Sequence, residues 1–177
     1  MMRVMLHILI AFILSIIETS LFASFHGMIR FTPFVFAVSV YLLQHHGISS
    51  AASWMVLHGI FLDILQHSQT PFITLAYLVA AFISVLSAQR VFSNRSVYGI
   101  VTCALLSYTG FTIIDLILRL SGAFISKYPF NWFVYLQDTE ARYLTLIAFL
   151  VILFIFAKRI RVVLAKLFLI PQSRQTL

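Results

Sequence analysis

The chain predicts an all-α polytopic membrane protein with six transmembrane helices, and three observations carry that prediction. Its 177 residues are 62% hydrophobic and only 10% charged, with a mean hydropathy of +1.03. A soluble core of this size cannot hide that much apolar surface. Apolar runs follow one another with only short polar turns between them, so residues 1–177 form a single transmembrane domain. The basic residues flank these runs, as expected when positive charge sets the orientation of helices.

The net charge of +7 is therefore a signal of membrane orientation and of attraction to anionic lipid. Nucleic-acid binding is not expected from it. Cys103 is the only cysteine, so no internal disulfide can form.

The first span covers about residues 4–25. Arg3 ahead of an apolar run imitates a signal peptide, but Glu18 interrupts the run and no small-x-small cleavage site follows Ala23. A retained span is expected. Ala11, Ser15, Thr19 and Ala23 recur every four residues, a stripe that lets another helix come close, and Glu18 lies at its edge. Thr32 and Pro33 read as the N-cap and first residue of a short second helix, about 32–44. That helix, about 20 Å long at 1.5 Å per residue, falls short of the hydrocarbon core.

Charge arithmetic decides whether it crosses. With six spans, Arg3, Arg90, Arg95, Lys158, Arg159, Arg161, Lys166 and Arg174 lie on one side and Arg30, Arg119, Lys127 and Arg142 on the other, eight against four. Both termini are then cytoplasmic. Local thinning of the bilayer or burial among neighbours accommodates the short helix.

The third span covers about 48–66. The fourth, about 71–88, opens with Pro71 and carries a second small stripe at Ala76, Ala80, Ser84 and Ala88. The fifth covers about 97–118. An aromatic-rich loop over 119–142 predicts a short interfacial helix, with Tyr128, Trp132 and Tyr135 at headgroup level. The sixth span covers about 143–157. Residues 158–177 form a basic amphipathic tail whose Lys158, Arg159, Arg161 and Lys166 meet anionic lipid or a cytoplasmic partner.

Three acids fall inside spans: Glu18, Asp63 and Asp115. Each lies late in an outward-running helix, so all three should share one depth and mark either a polar cavity or anchors of the bundle. Asp115 precedes Arg119 by four residues, the favourable order for an ion pair. Glu18 has no basic residue in its own helix, so Arg30, Arg119 and Arg142 are its expected partners across the bundle. Asp63 shares a helix face with Gly59, which leaves room for a neighbouring helix. His58, five residues from Asp63, is turned away by about 140° and forms no helical metal pair with it. No spacing fits a metal site, no nucleophile motif is present, and neither a cofactor nor catalysis is expected.

In order of features, the chain resembles the MreD family of bacterial rod-shape-determining inner-membrane proteins. The likeness rests on RFTPF after the first span, with Pro33, and on HGIFLDIL in the third, with Gly59 and Asp63; the following turn, HSQTPF, departs from the glycines usual in that family. The resemblance implies a noncatalytic scaffold of the cell-elongation machinery, or elongasome, that serves peptidoglycan synthesis. Its partners would be an MreC-like membrane protein and, through it, MreB and the cell-wall synthases. The small-residue stripes are the expected packing faces for a partner helix and leave room for a homo-oligomer. The layout also resembles the substrate-binding membrane subunits of energy-coupling-factor vitamin transporters, which implies the alternative of a small-molecule-binding subunit.

Overall fold

The computed structural model describes residues 2–46, 51–65, 72–91, 96–127 and 129–167. Among these residues there is no strand, and six α-helices carry the chain. Helix α1 spans Met2–Ile16 and runs on through a wider π turn at Ile17–Phe22. Hydroxyls account for the widening: Thr19 donates to the Ser15 carbonyl at 2.9 Å and Ser20 to the Ile16 carbonyl at 2.5 Å, so side chains compete for acceptors of the backbone ladder. A 3-10 turn at Gly27–Phe31 leads to α2, Phe34–His46. The Ala37 N–H donates to the Pro33 carbonyl at 3.0 Å, which puts the proline at the helix entrance, where a missing N–H costs little.

Helices α3, Ala51–Leu65, and α4, Ile73–Leu86, follow, α4 being continued by a π turn at Ser87–Val91. Helix α5 spans Val97–Ser126 and α6 spans Trp132–Leu167. Four segments, Met5–Phe22, Ile73–Arg90, Val97–Ile125 and Trp132–Ala157, are long and apolar enough to cross a bilayer, the mark of a membrane protein. Helices α2 and α3 are shorter. Burial explains how α2 exists at that length, since Val35, Phe36, Ala37, Ser39, Val40, Tyr41 and Leu43 are all enclosed by its neighbours.

The expected interfacial loop over 119–142 is replaced by helix on both sides of a short break. Arg119 does not end α5, because its Nε donates to both oxygens of Asp115, at 3.1 and 2.9 Å, and the charge is met inside the helix. The helix stops where Lys127 turns left-handed, at φ 56°, two residues before Pro129. Asn131 then caps α6 by accepting the Val134 N–H at 3.2 Å. Gln137, Glu140, Ala141 and Arg142 are good helix formers and continue it. The tail expected from residue 158 begins as a direct continuation of α6 as far as Leu167. Arg159 is exposed, whereas the side chains of Lys158, Arg161 and Lys166, like Tyr128 and residues 168–177, lie outside what is described.

The core is formed by α3, α4 and α5 with α2 threaded among them. Phe36, Met55, Tyr77, Ala80, Tyr108, Phe111 and Leu146 pack in it. Both small stripes are spent largely within the chain. Ala11 and Ser15 are fully buried, as are Ala76, Ala80 and Ser84, while Thr19 and Ala88 are half-buried and Ala23 alone is exposed. A four-residue period announces close approach without saying whose helix approaches, and here it is a neighbour in the same chain. The partner-helix role expected for these stripes therefore does not fit the buried positions. Large apolar side chains face outward instead on α1, at Leu6, Leu9 and Ile13, and on α6, at Leu136, Leu144 and Ile152.

Gly59 is the tightest point of the α3 and α4 contact. A Cβ there would stand 2.8 Å from the Thr74 Cα and 3.1 Å from the Tyr77 Cβ. Gly59→Ala is expected to push the two helices apart and cost about 1–3 kcal/mol, read as a lower thermal midpoint in detergent.

Candidate functional site

Glu18, Asp63 and Asp115 all lie at one end of the bundle, and each carboxylate has a defined task there. Glu18 sits in the π turn of α1, where Oε2 accepts the Val35 N–H of α2 at 2.7 Å. Asp63 ends α3 by receiving the N–H groups of Ile73 and Thr74 at 2.9 and 3.0 Å and the Thr74 hydroxyl at 2.5 Å. Each acid thus closes the first turn of the helix that follows its own, supplying an acceptor and a negative charge to exposed N–H groups. Asp115, almost fully buried, pairs within its helix with Arg119.

The other oxygen of Glu18 faces His58, with Nε2 to Oε1 at 3.4 Å. This corrects the expectation that an arginine would be its direct partner. His58 is fully buried, with Nδ1 2.8 Å from the Ser15 hydroxyl, which donates its one proton to the Ala11 carbonyl at 2.7 Å. Nδ1 must then be the donor to Ser15. Nε2 is left facing the Glu18 oxygen at 3.4 Å and makes no hydrogen bond among the described residues. The trio has the residue types of a hydrolase but not its geometry. The Ser15 hydroxyl is fully buried and committed to a carbonyl, and the serine meets the ring nitrogen that the acid meets in a working triad.

Around Glu18 opens a cavity of about 460 Å³. Its wall brings together Glu18, Arg30, Arg119 and Arg142, four of the six residues that the sequence marks for a polar cavity. Asp115 stands behind Arg119, and Asp63 is occupied with α4 while its neighbour Leu62 lines the wall. Arg142 lies close to the Tyr108 hydroxyl, and Arg30 lies over the Phe31 ring at 4.4 Å. Among the described residues, no carboxylate lies within ion-pair distance of Arg30 or Arg142. An adjoining groove of about 750 Å³ shares Arg119 and Arg142 and is lined otherwise by such residues as Ile125, Phe130 and Val134.

His58, Ser15, Tyr77 and Tyr108 are the site residues that sequence reasoning missed. His58 was measured only against Asp63 on its own helix, and its true partners come from α1, where no periodicity within one helix can reveal them. Tyr108 lies close to Arg142 and so links α5 to α6, which spacing within α5 cannot reveal. No group of three His, Cys, Asp or Glu that could hold a metal ion occurs among the described residues. Arginine forks and tyrosine hydroxyls are suited to binding an anion by charge and hydrogen bonds. No protein-family model matches the chain, and neither a curated protein nor a solved structure matches it.

Proposed function

We infer that this chain is a noncatalytic scaffold subunit of the MreD kind in the bacterial cell-elongation machinery. It crosses the inner membrane six times with both termini cytoplasmic. The observation that supports this reading is what the three resemblance residues do. Pro33 opens α2, Gly59 admits Thr74 and Tyr77, and Asp63 fastens α3 to α4. All three are spent on packing and fastening helices to one another, the work of a rigid platform. The outward apolar faces of α1 and α6 are the surfaces left for the transmembrane helix of an MreC-like protein, through which MreB and the cell-wall synthases are reached.

Co-expression tests the partner. The chain and an MreC-like protein should co-purify in mild detergent, and replacing Leu6, Leu9 and Ile13 together by Ala should reduce recovery of the partner severalfold with the thermal midpoint kept. Absence of any complex with the unaltered chain would contradict the reading. Sidedness has its own test. A cysteine placed at Arg159 should react with an impermeant thiol reagent only from the cytoplasmic face, and one at Trp132 only from the opposite face. Native Cys103 is buried and should stay silent.

The cavity favours a second reading, a small-molecule-binding subunit of an energy-coupling-factor type transporter. Its volume is within the roughly 300–1,000 Å³ that ligand sites occupy. A neighbouring gene for a transport ATPase would support that reading, and neighbouring shape-determining genes would support the first.

A further inference from the structure

The cavity and its adjoining groove carry a charge pattern that the scaffold role does not use. The cavity wall carries Arg30, Arg119 and Arg142 against the single acid Glu18, while the groove adds Asp115, paired with Arg119, and Asp138. Glu18 and Asp115 line these spaces but are already engaged by the protein. Glu18 meets the Val35 N–H with one oxygen and His58 with the other, and both oxygens of Asp115 meet the Nε of Arg119, leaving the rest of that guanidinium fork outside the bridge. Among the described residues, Arg142 has no carboxylate within ion-pair distance. Guanidinium groups within a membrane protein are costly unless an anion answers them, and planar forks suit the oxygens of a phosphoryl group.

The groove beyond Arg119 and Arg142 is open, with Asn131, Asp138 and Thr139 beside an apolar strip of Ile125, Phe130 and Val134. Ile125 is 80% exposed and Val134 47% exposed beside Phe130, so this side faces the surroundings of the bundle. A ligand that fits both spaces carries an anionic head and an apolar body. We propose that the two spaces together bind one anionic lipid, with its phosphoryl headgroup between Arg30, Arg119 and Arg142 and its apolar body along Ile125, Phe130 and Val134. The site is distinct from the basic tail, which lies at the far end of α6. It stands on the cavity and not on the elongation reading.

Native mass spectrometry of the full chain in a nonionic detergent tests this, with phosphatidylglycerol, phosphatidylcholine and inorganic phosphate as probes. One phosphatidylglycerol should bind per chain, at least about tenfold more tightly than phosphatidylcholine, because only the former has a net charge to offer. Arg142→Gln should weaken it about tenfold or more. Arg30→Gln should do so too, and because Arg30 is exposed the fold is kept whatever Arg142 contributes to packing. Arg90→Gln, at the opposite end of the bundle, should change nothing. Equal binding of the two lipids, or unchanged phosphatidylglycerol binding in the Arg30→Gln and Arg142→Gln variants, would overturn the proposal. So would inorganic phosphate binding as tightly as the lipid, which would assign the site to a free anion.

Discussion

Asp63→Leu is expected to unfold at a markedly lower temperature than the unaltered chain, whereas Asp63→Asn should lose much less. The carboxylate receives the Ile73 and Thr74 N–H groups and the Thr74 hydroxyl, all at the start of α4. Leucine would leave the two N–H groups without an acceptor and without a negative charge at the helix entrance. The combined loss is about 2–4 kcal/mol, from a missing cap and unsatisfied donors. Asparagine keeps one acceptor oxygen and is as good a cap residue as aspartate, so its loss should be nearer to about 1 kcal/mol. Equal loss in both variants, followed by thermal unfolding in detergent, would mean that the charge itself matters beyond capping.

The second large effect is expected at Glu18 and His58. Glu18→Leu removes the acceptor of the Val35 N–H and strands a fully buried imidazole. Leaving the Val35 N–H without its acceptor costs about 1–3 kcal/mol. Glu18→Gln should be far milder, since its amide can accept from Val35 and donate to Nε2 of His58. His58→Leu should be damaging alone, because Ser15 and Glu18 both lose a partner. Combining Glu18→Leu with His58→Leu should cost less than the sum of the two, with a coupling of at least about 1 kcal/mol. Strict additivity would show that the two side chains do not act on one another.

Much of this arrangement is legible in the residues, and the exceptions share a cause. The face that Asp63 shares with Gly59 is a property of one helix, and so is the order of Asp115 and Arg119. Both follow from helical geometry, and the structure shows both. The gathering of acids at one end follows from their late positions in alternate helices. Glu18 with His58, and Arg142 with Tyr108, join different helices, and the spacing within either helix is silent about them. The small stripes announced close packing correctly but not that α3, α4 and α5 consume most of it. The loop over 119–142 was misplaced because charged and aromatic residues were read as an interface. Arg119 can remain helical once Asp115 answers it, and the break waits for Lys127 and Pro129.

The roles of the acids are thus those of fasteners around a cavity lined by arginines. The most direct test is purification of the chain from its own membrane in mild detergent, followed by identification of the proteins that elute with it in stoichiometric amount. The expected companion is an MreC-like membrane protein. Recovery of a transport ATPase and its membrane coupling subunit instead, with no shape-determining protein, would contradict the scaffold reading.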